Sequence, residues 1–201
     1  ANAASGIWND AINWSPLGVP ASGDDVEIAV DGDYVVTLDV SASARSLLLG
    51  GASGTQTLSS ASQNLSIGLA GGTVAVHGVL AWGGGTLTTS GPLSIAGALK
   101  WTGGTIGSPA DVTILAGSTL DLSGAADKNL IASTLKNLGT ATWTGAGNFN
   151  IENSGTFQNQ SGGVFNVQSD ASLQQLGGGT AAVTNAGTFN KSVATGTTPI
   201  S

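Results

Sequence analysis

From Asn137 the chain reads NLGTATWTGAGNFNIE (137–152), NSGTFQNQSGGVFNVQ (153–168), SDASLQQLGGGTAAVT (169–184) and NAGTFNKSVATGTTPI (185–200), four blocks of sixteen without a gap. Positions three and four are Gly-Thr in three blocks. Position five is Ala141, Phe157, Leu173 and Phe189, and position thirteen is Phe149, Phe165, Ala181 and Thr197. Each block has the form turn, short strand, glycine turn, short strand, and a fixed period of this kind is the signature of a repeat architecture.

The same grammar runs upstream with looser spacing. Trp82-Gly83-Gly84-Gly85-Thr86-Leu87 returns nineteen residues later as Trp101-Thr102-Gly103-Gly104-Thr105-Ile106. A third copy begins at Trp143, forty-two residues on, or two turns of about twenty-one. Runs with period-two alternation recur at Tyr34-Val35-Val36-Thr37-Leu38, Leu65-Ser66-Ile67, Thr73-Val74-Ala75-Val76 and Thr119-Leu120-Asp121-Leu122, bounded by glycine. No segment keeps a 3.6-residue period; the best helical candidate, residues 125–135, reads equally as loop plus strand.

These features predict an all-β chain folded as a parallel β-solenoid (β-helix) with 16–21-residue coils and an atypical N-terminal cap. One coil carries too few large apolar residues to bury them alone. Stacked coils bury them against their neighbours and satisfy both edges of each strand. The aligned asparagines Asn137, Asn153 and Asn185 are expected to form a hydrogen-bonded ladder at the turns. Residues 1–70 read as the cap and first strands, and residues 71–201 as continuous repeats.

Composition agrees with that architecture. Charged residues make up 8% of the chain and glycine fills 32 of 201 positions, against roughly 25% and 7% in average proteins. Serine, threonine, asparagine and glutamine must therefore cover the surface. A formal charge of −7 opposes a sequence-independent grip on nucleic acid. No apolar run approaches a membrane span. Cysteine is absent, so packing and backbone hydrogen bonds hold the fold. The chain starts Ala1-Asn2-Ala3-Ala4 without methionine, which reads as the product of signal-peptide removal and predicts a secreted protein.

Half of the acids fall within sixteen residues: Asp24, Asp25, Glu27, Asp31, Asp33 and Asp39. Clustered oxygens suit calcium, so Asp24, Asp25, Asp31 and Asp33 are the candidate ligands. The competing reading is turns and solvated strand faces, since the loop spacing of a calcium hand is missing. Within the same segment, Trp8 and Trp14 serve either to cap the core or to offer an aromatic platform to a sugar. The opposite end keeps its pattern running to Ile200-Ser201. Thr188, Phe189, Thr197 and Ile200 there are the candidates for self-association through an open strand edge.

The stretch Trp8, Asn13-Trp14, Val19-Pro20 and Asp24-Asp25-Val26-Glu27-Ile28 resembles the opening of large bacterial surface proteins built from autotransporter-passenger-like or filamentous-adhesin-like β-solenoid repeats. Asn185-Ala186-Gly187-Thr188-Phe189-Asn190-Lys191 is similar to repeats of the same proteins. The likeness covers most of the chain. It implies an exported bacterial rod, often part of an adhesin or extracellular matrix, and brings no catalytic residue.

Little in the chain suggests chemistry. His77, the sole histidine, has no neighbouring nucleophile or carboxylate pair, and zinc ligation lacks its residues. A carbohydrate hydrolase on a β-helix needs two carboxylates across a groove. Downstream of the N-terminal cluster only Asp111, Asp121, Asp127, Glu152 and Asp170 are available, with Asp121 turned outward by alternation. The glycine triplets 83–85 and 177–179 lack the residues of a phosphate loop. The expected protein is non-enzymatic and cofactor-free, apart from the calcium candidate. It is an extracellular structural subunit that associates end to end, or alternatively an adhesin fragment that binds cell-surface glycans.

Overall fold

Strands of about four residues alternate with tight turns because each apolar, β-branched or threonine-rich run is interrupted by glycine before it can lengthen. The structure, a computed structural model, describes residues 3–107, 110–192 and 196–201. Its strands pair exclusively in parallel and wind into a β-solenoid with three faces. The first face is a nine-stranded sheet that runs from Gly6–Ile7 through Tyr34–Thr37, Gln56–Ser60 and Gly78–Trp82 to Thr188–Lys191. The second and third faces belong to one thirteen-stranded sheet, joined where Ala42–Leu49 and Leu65–Val74 bend across the corner between them. The bend coincides with a register shift between Ala44 and Ser46, opposite the bulging residues 68–70.

Regular coiling starts at Tyr34. Val36 pairs with Leu58, Leu58 with Leu80, Leu80 with Leu99 and Leu99 with Leu120, and their side chains form one column inside the first face. Two residues further along each strand, Trp82, Trp101, Leu122 and Trp143 form a second column. The tryptophan recurrences at nineteen and forty-two residues are therefore one and two coils, as the sequence suggests. Residues 125–135 divide into loop, the strand Lys128–Ile131 and the start of Thr134–Asn137. The expected strand at Thr73 belongs to the longer Leu65–Val74 and stops before Ala75.

The sixteen-residue period is not the coil. Phe157 lies on the third face between Leu135 and Val183, Leu173 on the second face beside Phe149, and Phe189 on the first face beside Phe165. The three do not share a column. Phe165 to Phe189 spans 24 residues, and coils along the array take 19 to 26. The repeated unit is eight residues, one turn plus one strand. A prism needs three sides to close, so self-alignment at sixteen captures two units and misses the third. Phe149, Phe157 and Phe165, eight apart, come one from each face and meet at the centre with ring centroids 5.4 and 5.0 Å apart.

The asparagine ladder exists with a different middle rung. Asn137 Nδ2 donates to Asn159 Oδ1 at 2.8 Å, and Asn159 Nδ2 donates to Asn185 Oδ1 at 2.7 Å. Each amide also bonds the carbonyl of the following coil's first-face strand, Val164 at 3.0 Å and Thr188 at 2.9 Å. Asn153 instead adopts a φ of 48° in an exposed corner, a left-handed conformation that asparagine tolerates better than most residues.

Among the described residues no helix is long and apolar enough to cross a membrane; the only helical piece is the 3-10 turn Ala11–Asn13. Aromatic packing concentrates in the C-terminal half, where Trp143 stacks on Phe165 at 6.5 Å and Phe189 meets Phe165 edge-on at 5.2 Å. Phe165, wholly buried between them, is expected to cost about 3–5 kcal/mol when replaced by alanine. The outward Ser66→Ala is expected to change stability by less than about 0.5 kcal/mol. Guanidinium unfolding midpoints of the two variants check both values.

Candidate functional site

The irregular first coil is built around its tryptophans. Trp8 is fully buried, its amide donating to Thr37 O at 2.8 Å. Trp14 folds back so that its Nε1 donates to Trp8 O at 2.8 Å, and the rings meet edge-on at 4.9 Å. The sugar-platform reading fails for Trp8, because a ring with no solvent exposure offers no face to a ligand. Trp14 is half-buried and lines the mouth of a surface hollow.

The acidic cluster disperses into separate hydrogen bonds. Asp24 accepts from the Ala21 amide at 2.8 Å, within one turn. Asp25 pairs with the Arg45 guanidinium and accepts from Ser46 Oγ at 2.6 Å, and these contacts hold its carboxyl below the usual carboxylate range. Asp31 caps the amides of Ala52 and Ser53 in the next coil, and Asp33 that of Thr55. Asp39 caps Asn9. The four calcium candidates Asp24, Asp25, Asp31 and Asp33 do not converge on one point. Among the described residues no three acidic or histidine side chains group as a metal would require. Corner turns leave amides unpaired between coils, and a carboxylate one coil away satisfies them.

The same device continues along the rod. Asn64 Oδ1 caps the Thr86 amide at 2.7 Å, Asp127 caps Asn148 at 2.7 Å, and Asn148 Oδ1 caps Ser172 at 3.0 Å. The other acids lie apart on three faces: Asp111 on the third, bonded to Lys136 at 3.1 Å, Asp121 on the first and Glu152 on the second. Asp170 bonds Lys191 at 2.8 Å and is held below its ordinary value by that hydrogen bond. His77 is exposed in the corner turn after Leu65–Val74, beside the shorter turn at Ala96-Gly97.

The most developed concavity crosses the first coils of the third face. Two adjoining hollows of about 390 and 380 Å³ share Asp25, Val26 and Glu27. One wall is the segment from Trp14 to Pro20, including the exposed Leu17 and Val19. The floor is the outward column Glu27, Leu48, Thr73 and Ser94, in register on successive strands. Beside it runs Asp25, Ser46 and Gly71, where Gly71 packs tightly against the backbone of Pro92. Sequence reading found Trp14 and the carboxylates but not Arg45, Ser46, Thr73 or Ser94, because only the coil register makes them neighbours.

The candidate self-association residues all lie on the last coil. Thr188 and Thr197 are exposed, Phe189 is half-buried and Ile200 is 57% exposed. Thr188–Lys191 and Ala182–Asn185 are the terminal strands of the first and third faces. Residues 199–201 begin a second-face rung, with Leu173 N donating to Pro199 O at 2.9 Å and Gln175 N to Ser201 O at 2.7 Å. Comparison with protein-family models, with curated proteins and with solved structures finds no match.

One buried charge escaped the sequence reading. Lys128 points into the core, has no solvent exposure and donates to Gly124 O at 3.2 Å, beside Gly145, where a Cβ would come within 2.9 Å of its Nζ. Burial lowers its pKa from 10.5, opposed by the nearby charges of Asp127 and Asp121. A lowered folded-state pKa means the ammonium destabilises the fold at neutral pH, and the cost fades as pH rises toward the unfolded-state value. Lys128→Met is expected to raise stability by on the order of 1 kcal/mol at pH 7. Its advantage over the parent should shrink as pH climbs toward 10, which thermal melts across that range check.

Proposed function

We propose that the chain is a non-enzymatic structural rod of the bacterial cell exterior whose units associate end to end. The observation that carries this reading is the difference between its two ends. Trp14 and the 3-10 turn Ala11–Asn13 cover part of the first coil. Among the described residues, no strand pairs with the outer edge of Ala182–Asn185 or of Thr188–Lys191, around the half-buried Phe189.

Exposed parallel edges are templates for another strand. The first coil offers edges in turn, Gly6–Ile7 on the first face and Asp25–Ile28 on the third. Contact between unlike surfaces propagates and does not close. The polar, charge-poor coat of threonine, serine and asparagine supports an exterior, load-bearing role, and the scattered carboxylates support a role without catalysis.

Sedimentation velocity and negative-stain microscopy test the proposal. The expected result is concentration-dependent growth into fibres of uniform width. Thr184→Lys combined with Asn190→Lys, at exposed positions of the two terminal strands, should return the protein to monomers with an unchanged far-UV spectrum. A parent chain that stays monomeric at every concentration, or fibres that persist in the double variant, overturns it.

A further inference from the structure

The trough opens on the third face at the first coils, away from the last coil. We infer that it binds an uncharged oligosaccharide laid along the rod axis, with one ring against Trp14 and hydroxyls bonded by Glu27, Ser46, Thr73 and Ser94. Chemistry and spacing both carry the argument. The hollow combines an apolar wall, Trp14, Pro16 and Leu17, with a floor of hydroxyls and carboxylates. A pyranose presents a matching pair of surfaces, an apolar C–H face and a rim of hydroxyls.

Glu27 makes no hydrogen bond or ion pair with another described residue, so its carboxylate is available to accept from sugar hydroxyls. Asp25 and Arg45 brace each other at the trough's edge, which holds a planar donor and acceptor in fixed positions. Strands repeat every ~4.8 Å, close to the length of one sugar in an extended glycan. The column Glu27, Leu48, Thr73 and Ser94 therefore meets successive residues in the same way.

Charge selects among polymers. Asp24, Asp25 and Glu27 face the hollow against the single cation Arg45, which is already paired. An anionic glycan or a nucleic acid would meet repulsion. An extended peptide is the rival occupant, because Asp24 and Ile28 direct their carbonyls to the next coil, which turns the backbone groups of Asp25 and Glu27 toward the wall.

The test applies the intact chain to an array of neutral and uronate-containing oligosaccharides and to a library of extended peptides, followed by calorimetry with the best ligand. Retention of neutral glycans is expected. Glu27→Gln should weaken binding about tenfold, the loss of one hydrogen bond to a charged group. Thr73→Arg, which fills the trough from an exposed position, should abolish it. Both variants should keep the parental melting temperature, and Thr73→Arg, on the inner strand Leu65–Val74, should also keep the parental sedimentation behaviour, which separates this site from end-to-end association. No retained neutral glycan, capture of only uronates or only peptides, or binding that survives both substitutions overturns the inference.

Discussion

Every feature of this protein depends on the parallel backbone ladder that joins each coil to the ones before and after it. A four-residue strand is too short to be stable alone. Stacked in register, it shares hydrogen bonds on both edges and delivers its apolar residues to a column already occupied by the same kind of side chain. The columns Leu58, Leu80, Leu99 and Leu120, and Trp82, Trp101 and Trp143, are the direct outcome. Charge contributes little, and the three ion pairs among the described residues are solvent-exposed, where such pairs are weak.

The corners carry a separate burden, since chain that leaves one face for the next has amides with no strand partner. Aspartates and asparagines one coil away resolve it, from Asp31 and Asp33 near the start to Asp127 and Asn148 further along. These bonds give Asp31 and Asp33 of the acidic cluster a structural role. The same need explains the inward asparagine ladder, in which Asn159 bonds both a neighbouring amide and the Thr188 carbonyl. Polar side chains here do the work of backbone pairing at positions the ladder cannot reach.

The faces that result are flat, polar and continuous, and local departures from regularity create the candidate sites. The trough arises where the covering segment from Trp14 to Pro20 stands beside the third face. Among the described residues, the strands Ala182–Asn185 and Thr188–Lys191 have no partner on their outer edges. Function in such a rod resides in its irregular parts, since the regular coils present nearly the same surface at every level.

The sequence by itself determined the parallel solenoid, the covered first coil and the recurrence of tryptophan at one and two turns, because alternation and glycine punctuation are local properties that survive in one dimension. It misjudged the coil length and the ladder's middle rung, and it grouped Asp24, Asp25, Asp31 and Asp33. Each of these turns on which residues are neighbours across a closed coil. Three units of eight, not two, are needed to close the prism, so Asn159 rather than Asn153 lies between Asn137 and Asn185. Only tertiary structure decided that Trp8 is buried beneath Trp14 and that Lys128 turns inward. The same holds for Glu27, Ser46, Thr73 and Ser94, which share one trough. Spatial adjacency along the rod axis is set by closure of the coil, and closure leaves no local mark in the chain.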